Sequence, residues 1–276
     1  MANRLGSCLD RIRQTAPCIH CITNYVTVND VANLLLACGA RPIMADDPEE
    51  AAEITRLSQG LSLNIGTVQQ HTVSAMLAAG REANRLGHPI VLDPVGVGAS
   101  TLRTRAAREL TAQLKLSAIR CNISEIKALI SGDGDPQGVD AAAEDAVREE
   151  TLEQTIAWLK RAAARLECVL AVTGAIDLVT DGDRCFVLYG GRAEMGRVTG
   201  TGCQLSALLT ACLAANPDHP LEAAAAAVGA MGLAGERGWD RMRELDGNIA
   251  YRGYIIDTLY RMTGDQLEGG IRFEIR

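Results

Sequence analysis

Residues 89–120 read PIVLDPVGVGASTLRTRAARELTAQLKLSAIR, and their order decides the fold. Pro89 to Asp93 is a short apolar run, entered from a turn at Gly87 and left through the glycine-rich loop Pro94-Val-Gly-Val-Gly98, which reads as a buried strand. Apolar residues at helical spacing predict a helix over 101–115, and Ala118-Ile-Arg120 predicts the next strand. Strand, crossover helix and strand make one unit of a parallel sheet.

The alternation continues on both sides of this unit. Asn29 to Cys38 carries apolar residues at helical spacing and stops at Gly39, a C-terminal cap. Arg41-Pro-Ile-Met44 is strand-like. Asp47 as N-cap, Pro48 at the first helical position and two glutamates in the first turn predict a helix over 48–58. Leu61 to Ile65 reads as a strand and 68–85 as a helix, and Ser124 to Ile130 opens another helix. The acidic, Gly/Asp-rich stretch 131–150 reads as a mobile surface excursion. A helix over 151–166 leads to the strand Cys168–Val172, then to a hairpin, 177–180 and 185–189, turning at Asp181-Gly182. Thr199-Gly-Thr-Gly202 introduces a helix from Cys203 to Ala215, and helices over 221–237 and 246–262 finish the chain. The expected architecture is one α/β domain over residues 1–276, with a mostly parallel sheet covered by helices on both faces.

Composition narrows the function. A hydrophobic content of 47% over 276 residues supports a large core and excludes disorder, collagen and coiled coil, while 3% aromatics leave no base-stacking platform. A net charge of −7 argues against nucleic acid as a partner, because such binding rests on cationic neutralisation. Only Lys115, Lys127 and Lys160 are lysines, and none follows a glycine-rich loop as a P-loop requires. Nine cysteines without an apolar leader point to free thiols in a reducing cytoplasm, and no run is long enough to span a membrane. Cys18-Ile-His20-Cys21 has metal-like spacing but no matching second pair, which argues against zinc.

Ligands of such sheets bind beyond the carboxyl ends of the strands, so the polar residues there are the candidates. They are Asn64, Gly66 and Thr67; Asp93; Arg120, Asn122 and Glu125; Thr173, Gly174 and Asp177; and Gly200 to Cys203. The glycines ahead of the last helix leave backbone N–H groups for an anion, or serve close packing. Cys203 falls in that helix's first turn, where the dipole favours thiolate; it is a reactive group or a buried filler. Asp93 faces a metal or caps its loop. Asn122 and Glu125 suit Mg²⁺ held largely through water, or form a capping box. Arg120 at a strand end, with Thr173-Gly174, suits phosphate. Asn24 and Asn29 either bond local backbone or, with Met44, line a pocket for a small, partly apolar ligand.

Six segments in one order, CITNYVTVNDVAN (21–33), NIGT (64–67), VLDPVGVGAS (91–100), IRCNISEI (119–126), VTGAIDLVTDG (172–182) and VTGTGCQLSALL (198–209), resemble the hydroxyethylthiazole kinases. That resemblance implies a ribokinase-like three-layer sandwich, a homotrimer with active sites between subunits, and transfer of the γ-phosphoryl group of ATP, with Mg²⁺, to the primary hydroxyl of 4-methyl-5-(2-hydroxyethyl)thiazole, a thiamine salvage step. It places Met44, Gly200, Asn24, Val26 and Thr67 at the thiazole; Arg120, Thr173, Asn122 and Gly202 at ATP; Asp93 and Glu125 at Mg²⁺; and Cys203 as catalytic base within an anion hole at 200–203. Two spots depart from the family's pattern. Cys121 replaces a glycine beside the expected ATP phosphates, and Tyr189 to Met195 differs ahead of the anion hole. The competing readings are a ribokinase-like kinase for pyridoxal or hydroxymethylpyrimidine, a dehydratase on the same fold, and a nucleotide sensor without turnover.

Overall fold

The computed structural model describes residues 4–131, 147 and 149–276, so most of the expected acidic excursion over 131–150 lies outside the described residues. From the N-terminus the elements are α1 (Leu5–Thr15), β1 (Cys18–Ile22), α2 (Val28–Cys38), β2 (Arg41–Met44), α3 (Ala51–Leu57), β3 (Gly60–Asn64), α4 (Gln70–Leu86), β4 (Ile90–Asp93), α5 (Thr101–Gln113), β5 (Ala118–Cys121) and α6 (Ile123–Ile130). There follow α7 (Leu152–Leu166), β6 (Val169–Val172), β7 (Asp177–Thr180), β8 (Cys185–Tyr189), α8 (Thr201–Ala215), α9 (Pro220–Asp240), α10 (Asn248–Arg261), α11 (Gly264–Glu268) and β9 (Arg272–Ile275). The strands form one sheet in the order β2-β1-β3-β4-β5-β6-β7-β8-β9. Pairing is parallel from β2 through β6 and antiparallel from β6 to β9.

Each central strand is apolar on both faces because each face is roofed by helices. Val91, Ala118, Val169 and Ala171 point into a core shared with α1, α2, α8, α9 and α10. Their neighbours Ile90, Leu92, Ile119, Leu170 and Val172 point the other way, into a core with α4, α5, α6 and α7. The resulting three layers are those expected. In α9 the run Ala223 to Ala227 is buried throughout, and such small side chains let helix axes approach closely. Among the described residues no helix is long and apolar enough to cross a membrane.

Several boundaries differ from expectation for physical reasons. The helix foreseen over 48–58 starts only at Ala51, whose N–H bonds to Asp47 O at 2.9 Å and closes a turn over 48–50 first. Asp47 still acts as a cap, its Oδ1 accepting from Glu49 N at 2.8 Å. β1 was not foreseen: CIHCI is buried at every position, so it lacks alternation and carries a histidine in its centre. The chain also continues past its expected last helix into α11 and the edge strand β9.

Candidate active site

Parallel pairing brings the carboxyl ends of β1, β3, β4 and β5 to one rim, and α8 starts there. Gly200, its N-cap, has φ +90 and packs so tightly that a Cβ would sit 3.0 Å from Thr27 Cβ. A Cβ at Gly202 would lie 2.9 Å from Cζ of Arg120. The first turn of α8 carries neither an acidic residue nor a side-chain cap, so its amides are open to an anion.

Asn24 and Asn64 converge on the sulfur of Cys203. Asn24 Oδ1 accepts from Thr27 N at 3.1 Å and from Thr27 Oγ1 at 3.0 Å, which fixes the amide's orientation. Its Nδ2 therefore donates to Asn64 Oδ1 at 3.0 Å and to Cys203 Sγ at 3.2 Å. Asn64 is oriented likewise by Gly66 N, 2.9 Å from its Oδ1, and its Nδ2 donates to Cys203 Sγ at 3.3 Å and to Asp93 Oδ2 at 2.8 Å. Burial, with Asp93 second, nonetheless raises the Cys203 thiol above its ordinary value, against the pull of Thr27, Asn24 and Asn64. This corrects the expectation that the helix N-terminus leaves Cys203 as a thiolate: the resting group is the thiol.

Asp93 is wholly buried. Ser206 Oγ and Asn64 Nδ2 both donate to its Oδ2 at 2.8 Å, whereas its Oδ1 has no hydrogen-bond partner and faces Arg120 Nη1 at 3.8 Å. Burial lifts this carboxyl from 3.8 to about 6, with Arg120 opposing. Arg120 Nη2 donates to Thr173 Oγ1 at 2.7 Å, and Gly174 N donates to Asp177 Oδ1 at 2.9 Å, so the turn after β6 holds the guanidinium over the rim. Burial likewise raises Asp177 to about 6.

Asn122 and Glu125 form the capping box of α6. Asn122 Oδ1 accepts from Glu125 N at 2.8 Å, and Glu125 Oε2 accepts from Asn122 N at 2.9 Å. Glu125 Oε1 also accepts from Gly96 N at 2.8 Å, tying the glycine-rich loop to α6. For Mg²⁺ this leaves one unpartnered carboxylate oxygen, on Asp93, with a second carboxylate already held by backbone amides. Among the described residues no three His, Cys, Asp or Glu side chains gather into a cage. Such a donor set fits an ion carried on phosphates and held largely through water.

Two clefts flank this centre. The larger, about 610 Å³, is lined by Arg120, Thr173, Gly174, Gly202 and an apolar floor of Val228 and Met231. The smaller, about 270 Å³, is lined by Tyr25, Met44, Asn64, Thr67 and Val68. Of the expected residues, Met44 and Thr67 thus share the smaller cleft, and Arg120, Thr173 and Gly202 the larger, while Asn24 and Cys203 lie between them. Val26, at 59% exposure, lines neither, and neither do Gly200, Asp93, Asn122 and Glu125. Cys121 is fully buried in the core with Ile119, which corrects the expectation that its side chain stands beside the nucleotide. Ser206 was missed as a support for Asp93; its signal is a serine four residues after Gly202 on a mostly apolar helix that also buries Gln204 and Thr210.

A sequence model of the hydroxyethylthiazole kinase family matches residues 9–265. The hydroxyethylthiazole kinase of Clostridium acetobutylicum is 50% identical over 266 residues, covering 96% of this chain and 97% of that one. The solved structure of a hydroxyethylthiazole kinase protein from Pyrococcus horikoshii OT3 superposes with a TM-score of 0.85 at 36% identity, over 99% of this chain and 98% of the other. Pyridoxal kinase from Staphylococcus aureus in complex with AMP-PCP shares the fold at a TM-score of 0.62 and 16% identity, over 94% and 97% of the two chains.

Proposed function

The chain belongs to the hydroxyethylthiazole kinase family, and from that membership we infer that it phosphorylates the primary hydroxyl of 4-methyl-5-(2-hydroxyethyl)thiazole with ATP, for thiamine salvage. The observation that carries the reading at the level of the site is Cys203. Its sulfur lies between a cleft of mixed polar and apolar lining, of the size of one small heterocycle, and a larger cleft rimmed by an arginine, a threonine and an uncapped helix N-terminus.

In this reading the thiazole rests against Met44, Thr67 and Tyr25, its hydroxyl directed at Cys203 beside Asn24, and Val26 reaches it only across a subunit boundary. ATP occupies the larger cleft with Arg120 and Thr173 on its phosphates, and the amides of 200–203 cradle the group in transfer. Bound Mg²⁺ would neutralise phosphate charge, held by Asp93 directly and by Glu125 through water. As the new oxygen–phosphorus bond forms and the bond to ADP breaks, the hydroxyl proton passes to the thiolate form of Cys203, which becomes the thiol. A loose transition state asks more of alignment and charge balance than of a strong base, so a small thiolate fraction at Cys203 is sufficient there.

The same reading takes the protein as a cytoplasmic, single-domain kinase that assembles as a homotrimer with active sites between subunits. Its support is the free state of all nine cysteines, and Tyr25, which lines the smaller cleft yet is 73% exposed in one chain.

The test is ATP consumption measured with the thiazole alcohol, pyridoxal and hydroxymethylpyrimidine in parallel. ADP release is expected with the thiazole alcohol at the highest kcat/KM. Preference for either other alcohol would reassign the substrate, and tight ATP binding without any turnover would favour a sensor.

A further inference from the structure

His20 sits at the centre of β1, fully buried, paired in register with Ile43 of β2 on one side and Leu61 of β3 on the other. Its ring reaches two other elements. Nε2 lies 2.7 Å from Ala45 O and Nδ1 lies 2.9 Å from Thr55 Oγ1 on α3. A carbonyl can only accept, so Nε2 carries the hydrogen. Burial holds the ring below its ordinary pKa and therefore neutral, so Nδ1 competes with Ala51 O, also 2.9 Å away, for the one hydrogen of the Thr55 hydroxyl.

Ala45 is no ordinary core position. β2 is the edge strand of the sheet and its ladder with β1 ends at the pair Cys21 and Met44. Directly beyond that end, Met44, Ala45 and Asp46 form one wall of the smaller cleft. The histidine thus extends the hold of β1 by one residue past the ladder, at the place where the wall begins.

We propose that His20 is a positioning residue for the acceptor alcohol: through the carbonyl of Ala45 it sets the Met44–Asp46 wall against which the alcohol's ring packs. The proposal rests on the smaller cleft being the alcohol site. Loss of the bond leaves a buried carbonyl unpaired and lets the wall shift, while Arg120, Thr173 and the start of α8, on other elements, keep their contacts.

The test compares His20→Phe, His20→Asn and His20→Gln for both KM values, kcat and amide hydrogen exchange over residues 44–47. The phenylalanine ring has no donor, and the asparagine amide is too short to reach. The glutamine amide can occupy the place of Nε2 and still donate. His20→Phe and His20→Asn are expected to raise KM for the thiazole alcohol roughly tenfold, with KM for ATP and kcat within about twofold of the parent. Exchange over 44–47 should quicken in the same two variants, and His20→Gln should restore both readouts. If His20→Phe does not fold, His20→Asn carries the comparison. Unchanged exchange and unchanged alcohol KM in a folded variant lacking the donor would overturn the proposal, as would equal rises in both KM values. Quickened exchange in variants of a parent that does not phosphorylate the thiazole alcohol would support the positioning role and sink only the substrate assignment.

Discussion

At Cys203 two amide N–H groups are aimed at one sulfur, and their aim is fixed from behind by Thr27 and Gly66. Donors so placed favour the thiolate that can take the hydroxyl proton, although burial keeps the group mostly a thiol. Cys203→Ala is therefore expected to lower kcat by about 10²–10⁴-fold, the range for one general base, with KM for ATP little changed. Cys203→Asp should stay active, because a carboxylate can receive the same donors and the same proton; a folded but inactive Asp variant would reduce the cysteine to a packing role. Asp93 gives a second prediction, with a sign. Its carboxyl is raised from 3.8 to about 6 by burial, and only its ionised form can hold a cation. KM for ATP should rise about tenfold per pH unit below about pH 6 and stay level above it, measured at saturating alcohol. A folded pKa above the unfolded one means that the folded state binds the proton more tightly. The burial penalty is thus fully present above about pH 6 and is relieved as the pH falls toward 3.8. Asp93→Asn should accordingly be more stable than the parent at pH 8, by about 3 kcal/mol, while losing turnover; lower stability would show that the Arg120 contact outweighs the burial.

The start of α8 is where backbone, not side chains, meets the phosphates. Gly200 holds a left-handed conformation against Thr27, and Gly202 lies under the Arg120 guanidinium. In Gly202→Ala the added methyl displaces the far end of Arg120, so KM for ATP should rise about tenfold while KM for the alcohol stays within about twofold. Gly200→Val adds a branched side chain at positive φ, strain of roughly 1–3 kcal/mol, and is expected to abolish turnover in a protein that still folds. Near-normal activity there would remove 200–203 from the site. This helix also marks how far sequence reading reached. The crossover units around 89–120 were legible because helices on both faces leave strands as plain apolar runs and put Asp93, Arg120 and Thr173 at their ends. β1 escaped because full burial erases alternation and because its histidine is satisfied by Ala45 and Thr55, partners far off in sequence. For Asn122 and Glu125 the local geometry visible in the sequence, a capping box, is present as read. The bridge from Asn64 to Cys203 was not legible, since it joins residues that meet only once β3 and α8 are packed.

Across the whole molecule, a core nearly without aromatics is filled by Ala, Leu, Ile, Val and most of the cysteines. Eight of the nine thiols are buried, and the rim of the site holds the ninth, Cys203, at intermediate exposure. The outer wall of the smaller cleft has the opposite character, with Tyr25, and Val26 beside it, turned to solvent in a single chain. Assembly that covers them would complete the cleft, and on the proposed homotrimer light scattering should give a mass three times that of the 29.3 kDa chain. A monomer that binds the alcohol with full affinity would contradict it. Thiol chemistry then tests fold, site and assembly together, because alkylation follows access and thiolate fraction. Native protein treated with N-ethylmaleimide should gain one adduct per chain, mapping to Cys203, with loss of activity in step. The rate should keep climbing through pH 9, since burial places this thiol above its ordinary value of 9.0. ATP and the thiazole alcohol, filling the clefts on either side, should slow the reaction more together than either does alone. Unfolded protein should gain all nine adducts. Labelling of Cys121 or Cys21 at a comparable native rate would break the picture at its base, for those two belong to the cores on opposite faces of the sheet.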